Sequence, residues 1–164
     1  MRNLIIKYAD DIVVKQIKLL ESIPGIGFLS AVTLICEIGD ISLFNSPKKL
    51  FAYFGLDPSV YQSGNFTSRS GKISKRGSRI ARRTLYMVSI VNIGVSRNKK
   101  PNNPVIYDFY RYKCQSKAKK VSLCAVMHKL CNIIFAVLRD NKDFVLTTAE
   151  EHKKNYLLKK SIIT

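Results

Sequence analysis

Residues Leu20 to Asp40 read LESIPGIGFLSAVTLICEIGD, and the fold class follows from the middle of this stretch. Pro24 cannot continue a helical hydrogen-bond ladder, and Gly25 and Gly27 permit a sharp reversal around Ile26. The stretch therefore predicts a helix that stops at Ile23, a tight connection, and a second helix over about Phe28 to Glu37. Upstream, Leu4, Ile5, Tyr8, Ile12, Ile17 and Leu20 fall at mostly helical spacing with charges between them, which predicts one amphipathic helix over Asn3 to Ser22.

Helix signals dominate downstream as well. Ser46 is a cap residue, Pro47 suits a first turn, and Gly55 follows the segment KKLFAYF, so a helix is expected there. Leu56-Asp57-Pro58 then leads into YQSGNFTSRSGKISKRGSRIARR, Tyr61 to Arg83, read as an exposed loop with a short strand near Lys72 to Ser74. Gly77-Ser78 closes the loop and a helix runs from Arg79 to about Gly94. RNKKPNN, Arg97 to Asn103, reads as a basic linker, and Pro104 starts a helix whose Tyr107, Phe109, Tyr110 and Tyr112 are assigned to the core. A long apolar helix over Val121 to about Arg139 is the expected packing centre of the second half. The expected fold is mostly α: a helix-hairpin-helix followed by a basic loop and a small helical bundle. Residues 1–19 form a leading helix, 20–145 the principal domain and 146–164 a polar tail.

With 164 residues and 46% hydrophobic content, the chain can bury one ordinary core. Its net charge of +17 points to a polyanionic partner, with nucleic acid foremost. The charge is unevenly placed. From Met1 to Asp57 six basic residues meet six acidic ones, whereas ten Lys or Arg and no acid lie between Asp57 and Asp108. No amino-terminal signal pattern is seen, because Lys7, Asp10, Asp11, Lys15 and Lys18 interrupt the first apolar run. The longest apolar segment contains Ser122, His128, Lys129 and Asn132, which suits a buried helix better than a membrane span. A cytoplasmic protein without a membrane partner is expected.

Phosphate chemistry has two candidate locations. At the first hairpin, Gly25 and Gly27 would let a phosphate approach backbone N–H groups, and the following helix start adds partial positive charge. The basic loop supplies Arg69, Lys72, Lys75, Arg76, Arg79, Arg82 and Arg83, of which the last three crowd a helix start, where cations oppose the dipole unless an anion binds. Ser63, Ser68, Ser70 and Tyr61 are hydroxyls in the same loop. Any of them attacking a phosphodiester would give a covalent protein–DNA intermediate that conserves bond energy for religation. Cys124, His128 and Cys131 share a helix face but lack an evident fourth ligand, so no metal is assigned to the chain. The only acid between Pro58 and Arg139 is Asp108, which leaves no carboxylate cluster for two-metal nuclease chemistry.

The order of motifs is more specific than any one of them. IPGIG, EIGDISLFNSPKKLFAYFGLDP, Ser63-Gly64, GKISKRGSRIARRTL and KAKKVSLCAVMHKLCNIIFAVL together resemble the carboxy-terminal transposase domain of the bridge-RNA-guided insertion-sequence transposases of the IS110 type, related to Piv-type DNA invertases. The resemblance runs from about Leu20 to Phe144. It implies DNA transposition by serine-mediated strand cleavage and transfer, with Ser63 as nucleophile, Gly64 as the family's following glycine, and Gly71, Lys75, Gly77 and Arg82 as further matching positions. Arg82 and Lys75 would be electrostatic helpers. It also implies DNA as partner, with a guide RNA and a separate RuvC-like domain or a second copy as further candidates. Mg2+ is expected only in that RuvC-like domain, which bears four carboxylates in relatives. The chain is expected to be a separated or truncated carboxy-terminal half, acting with the missing domain or persisting as an inactive nucleic-acid-binding remnant.

Overall fold

The computed structural model describes residues 1–59, 62–63, 66–67, 72–148, 150–152 and 154, with 62–63 and 66–67 described as backbone. The single amphipathic helix expected at the start is two: α1 (Arg2–Tyr8) and α2 (Asp11–Glu21). Ala9 and Asp10 between them are extended, and Asp10 and Asp11 suit a helix start because acids there complement the free N–H groups. The break separates unlike segments. Helix α1 buries none of its residues, whereas α2 places Ile17, Leu19 and Leu20 in the core; Leu4, Tyr8 and Ile12 of the expected stripe stay exposed.

Helix α3 (Phe28–Ile38) follows the connection as expected. Ile23 and Ile26 point into the core on either side of Gly25, so the turn is held by its apolar residues. A 3₁₀ turn, Ile41–Leu43, is capped by Asp40, whose carboxylate accepts from the Ser42 N–H at 2.8 Å and lies below its ordinary pKa because of the Ser42 hydroxyl and N–H. Helix α4 (Pro47–Tyr53) begins at Ser46, whose hydroxyl accepts from Lys49 N–H, and Pro47 occupies the first turn. The Ser46 and Pro47 signals act as read.

The segment after α4 and the segment before α5 form the base of the basic loop. Pro58 and Ile73 form an antiparallel bridge, flanked by Ser59 N–H to Lys72 C=O at 2.7 Å and Ser74 N–H to Asp57 C=O at 2.8 Å. Within the loop, β1 (Gln62–Ser63) pairs antiparallel with β2 (Phe66–Thr67), and Ser63 stands opposite Phe66. The strand expected near Lys72 to Ser74 is thus a single bridge.

Helix α5 (Arg79–Ile93) is capped by Ser78, whose hydroxyl accepts from Ile80 and Ala81 N–H at 3.1 Å each. Arg97 to Asn103 is no linker. Val95 bridges Pro101, Ser96 N–H donates to Lys100 C=O at 2.9 Å, and Asn102 Nδ2 donates to Val91 C=O at 2.8 Å, folding the basic residues into a closed turn at the end of α5. Asn103 then caps α6 (Pro104–Cys114) through its side-chain oxygen. The aromatics of α6 divide: Phe109 and Tyr110 pack against the core, and Tyr112 is exposed. Helix α7 (Lys119–Asp140) is the centre of both halves, packing against α2, α4, α5 and α6. By length and composition it could span a bilayer. Here Val126, Leu130 and Ile134 are fully buried and its apolar face is core. After it, Phe144 N–H donates to Ser22 Oγ at 2.8 Å, fastening the outgoing chain to the end of α2.

One polar device links three segments across this core. Asn92 is fully buried; its Nδ2 donates to Pro24 C=O at 2.6 Å and Val88 C=O at 2.9 Å, while its Oδ1 accepts from Asn103 Nδ2 at 2.9 Å. The turn before α3, the end of α5 and the start of α6 are thereby joined through two amides. Asn92→Ala would strand the Asn103 donor and the Pro24 acceptor, a cost of about 3 kcal/mol. For a chain of this size that predicts a fall in Tm of about 6–12 °C, measurable by thermal unfolding.

Candidate nucleic-acid interface

The base of the loop is built by backbone meeting backbone. Gly55 is buried at φ +68, and a Cβ there would lie 2.7 Å from Arg76 N; a Cβ on Gly77 would lie 2.5 Å from the Phe54 carbonyl carbon and 2.7 Å from Gly55 N. Only glycine permits this approach, and Gly55 also needs the left-handed conformation. Lys75 N–H donates to Gly55 C=O at 2.9 Å and adopts φ 56 itself. Arg82 spans the junction: its Nη1 donates to Phe54 C=O at 3.1 Å and to Gly77 C=O at 2.6 Å. The carbonyls at the end of α4 carry partial negative charge, so this guanidinium stabilises a helix C-terminus from a neighbouring helix.

The three arginines that crowd the start of α5 therefore have different positions. Arg82 is half-buried against carbonyls, whereas Arg79 and Arg83 are exposed. Lys72, Lys75 and Arg76 are exposed along the loop base. Among the described residues the ion pairs are Arg2–Glu21 and Arg139–Asp140, so none of these five cations is neutralised by a carboxylate. Asp57, the acid nearest in sequence, accepts a hydrogen bond from the Ser74 hydroxyl. The result is five exposed cations without a carboxylate partner among the described residues, on the segment that leads from the loop into α5, a charge suited to phosphate.

The backbone of Ser63 closes β1 at the far end of this loop. Gly64, Arg69, Gly71, Ser68, Ser70 and Tyr61 lie outside the described residues. At the first hairpin, Gly25 and Gly27 are both exposed, but they face different surroundings. A Cβ on Gly25 would meet Val91 Cγ1 at 2.9 Å, while Gly27, which caps α3 without a side-chain hydrogen bond, has open space beside it. Sequence reasoning missed the partnership of Gly55 with Gly77 and the carbonyl role of Arg82, because both are contacts between segments distant in the chain.

Of the residues that raised a metal reading, Cys131 sits in the core, and Cys124 and His128 are partly buried. Cys131 is buried and its thiol is pushed up to about 12, burial raises Cys124 as well, and His128 packs edge-on against Phe51 with ring centroids 4.6 Å apart. Thiols raised in this way are poor thiolate ligands at neutral pH. Among the described residues no group of three or more His, Cys, Asp or Glu could hold a metal ion.

Comparison with known proteins gives the family. The model of the Transposase IS116/IS110/IS902 family matches residues 17–110, more than half of the chain. The chain belongs to this transposase family. The matched range runs from the second half of α2 through most of α6, including the loop base and both glycines of the Gly55–Gly77 contact. The chain is similar to the pilin gene-inverting protein of Moraxella bovis, with 36% identity over 127 residues, 77% of this chain and 38% of that protein. It is also similar to the transposase for insertion sequence element IS1111A of Coxiella burnetii, 41% identical over 66 residues, covering 40% of this chain and 18% of the relative. A third relative, the insertion element IS110 uncharacterized 43.6 kDa protein of Streptomyces coelicolor, is 30% identical over 121 residues, 74% of this chain and 28% of its own length. The chain thus spans well under half the length of these relatives.

The glycine contact and the arginine strut can be tested apart from any activity. Gly77→Ala should destabilise the fold by about 3 kcal/mol, because the new methyl group has only backbone to displace. Arg82→Lys, which replaces a fork with a single point donor, should cost about 1 kcal/mol while Arg83→Lys leaves the unfolding midpoint unchanged. Chemical denaturation of the three variants separates these outcomes.

Proposed function

We propose that the chain is a DNA-binding part of a transposase or recombinase that cleaves and transfers strands through Ser63. The observation that carries this reading is the set of exposed, uncompensated cations, Lys72, Lys75, Arg76, Arg79 and Arg83, around the loop that bears Ser63, in a member of a transposase family. Phosphoryl transfer asks a protein mainly for positioning and for neutralisation of developing charge, and this set supplies both. Arg69 of the same loop would add to it. Lys75 acts directly on phosphate, and Arg82 acts through the backbone it holds.

In the proposed step, Ser63 Oγ attacks the phosphorus of a DNA strand. The deoxyribose oxygen leaves with its electron pair and takes up a proton, while the serine proton is lost; a phosphoserine linkage replaces the broken phosphodiester. A strand hydroxyl reverses the step at the same or another end, which is why no external energy is needed. Gly27 and the open start of α3 would hold DNA backbone through N–H groups, with Gly25 shaping the turn. The acid-poor loop and its surroundings do not fit a Mg2+ pair, so any such ions belong to a RuvC-like domain outside these residues, and no step above depends on them. A guide RNA and a second copy of the chain are the further partners this reading admits.

The test is a covalent adduct. The chain, combined with a matching RuvC-like domain, guide RNA and DNA, should yield a denaturation-resistant protein–DNA species that maps to Ser63, and Ser63→Ala should abolish it while leaving DNA binding within about twofold, since a single neutral hydroxyl contributes little beside the cations that set phosphate affinity. An adduct that survives Ser63→Ala would remove the serine assignment.

A further inference from the structure

Between α5, α7 and the loop base lies an open cavity of about 430 Å³. Its apolar side is made by Leu56, Ile73, Leu123 and Met127, and Tyr86, 47% exposed, forms part of its wall. Arg79, Arg82, Arg83, Lys120 and Cys124 complete the lining among the described residues, and none of these is an acid. An apolar recess edged only by cations suits an amphipathic anion. A nucleotide has that character: flat apolar base faces attached to a phosphate.

We propose that this cavity receives the base of an unpaired DNA nucleotide, with the adjoining phosphates on Arg79, Arg83 and Lys120. The inference rests on the DNA-binding reading given above and extends it from backbone to base. Tyr86 supplies the aromatic surface on which a base can stack, and Arg82 retains guanidinium N–H groups beyond the Nη1 that holds the two carbonyls. Placement supports the assignment too. Ile73 and Leu56 belong to the base of the loop bearing Ser63, so a strand crossing from the loop cations toward Lys120 would pass over the cavity. Strand exchange requires unpaired nucleotides near the point of cleavage, and a recess that holds one base offsets the loss of stacking. The volume is ample for a base and its sugar. A neighbouring cavity shares Leu56, Ile73, Lys120 and Cys124 but includes Asp57, whose carboxylate makes it the poorer site for an anion. An acidic amphipathic peptide is the competing occupant of the cation-edged cavity, and it predicts DNA binding that ignores bases.

The experiment compares two single strands of about ten nucleotides, within the range of single-strand site sizes, one oligothymidylate and one a fully abasic sugar–phosphate chain of equal charge. The wild-type chain should bind oligothymidylate about tenfold more tightly, and Tyr86→Ala should remove most of that preference while leaving affinity for the abasic strand unchanged. Tyr86 is exposed enough that its truncation should not unfold the chain, and the unchanged abasic affinity reports that directly. Lys99→Ala, in the distant turn, should leave the ratio untouched. Equal affinity for the two strands, or a preference that survives Tyr86→Ala, would overturn the proposal. Failure of the chain to bind these strands and duplex DNA alike would overturn the DNA-binding reading itself, and this one with it.

Discussion

Two backbones touch at Gly55 and Gly77 without a side chain between them, and the candidate site depends on that contact. It brings the end of α4 to the start of α5, and so fixes both ends of the loop that carries Ser63. Arg82 seals the junction with hydrogen bonds to Phe54 and Gly77 carbonyls. Its charge is thereby directed to carbonyl oxygens, and the neighbouring cations are left to solvent. A methyl group at either glycine would force the segments apart by more than a flexible side chain could absorb, because what it meets is main chain.

Behind this junction the fold is a single helical core organised on α7. Val126, Leu130 and Ile134 pack where α2, α4, α5 and α6 converge. The Asn92–Asn103 amide pair adds direction to a core that apolar packing alone would leave less specific, since buried amides tolerate few alternative arrangements. It sets the turn before α3 and the start of α6 against the same end of α5. Helix α5 is then fixed at both ends, by the amide pair at one and by the glycine junction at the other. The cationic face at its start has a rigid support, which favours a positioned phosphate over a loosely attracted one.

What could be read in the sequence was what is encoded locally. Ser46 caps the helix that follows it, Pro47 and Pro104 stand in first turns, and α5 starts where Ser78 closes the loop, because these residues act within a few positions of themselves. The mostly α class and the central role of the last long helix also followed from spacing. What escaped was set at long range. Ala9 and Asp10 break a stripe that looked continuous, since the core takes Ile17 and Leu20 and has no place for Leu4 or Tyr8. The run RNKKPNN has a linker's composition, yet Asn102 and Asn103 fold it back on α5 and α6. Three arginines at one helix start looked alike, and only the approach of α4 makes Arg82 different. The choice of Ser63 among the loop hydroxyls came from the resemblance of its surroundings to a family, and composition offered no way to rank it.

The central claim is that the exposed cations at the loop base bind DNA phosphates. It is tested most directly by the salt dependence of duplex DNA binding by the intact chain and by a variant in which Lys72, Lys75, Arg76, Arg79 and Arg83 are replaced by Gln. Each phosphate that the variant no longer neutralises should flatten the plot of log affinity against log salt by about 0.9, so the variant's slope should be shallower by up to about 4.5. An unchanged slope would place the phosphate-binding groups elsewhere on the molecule and contradict the account.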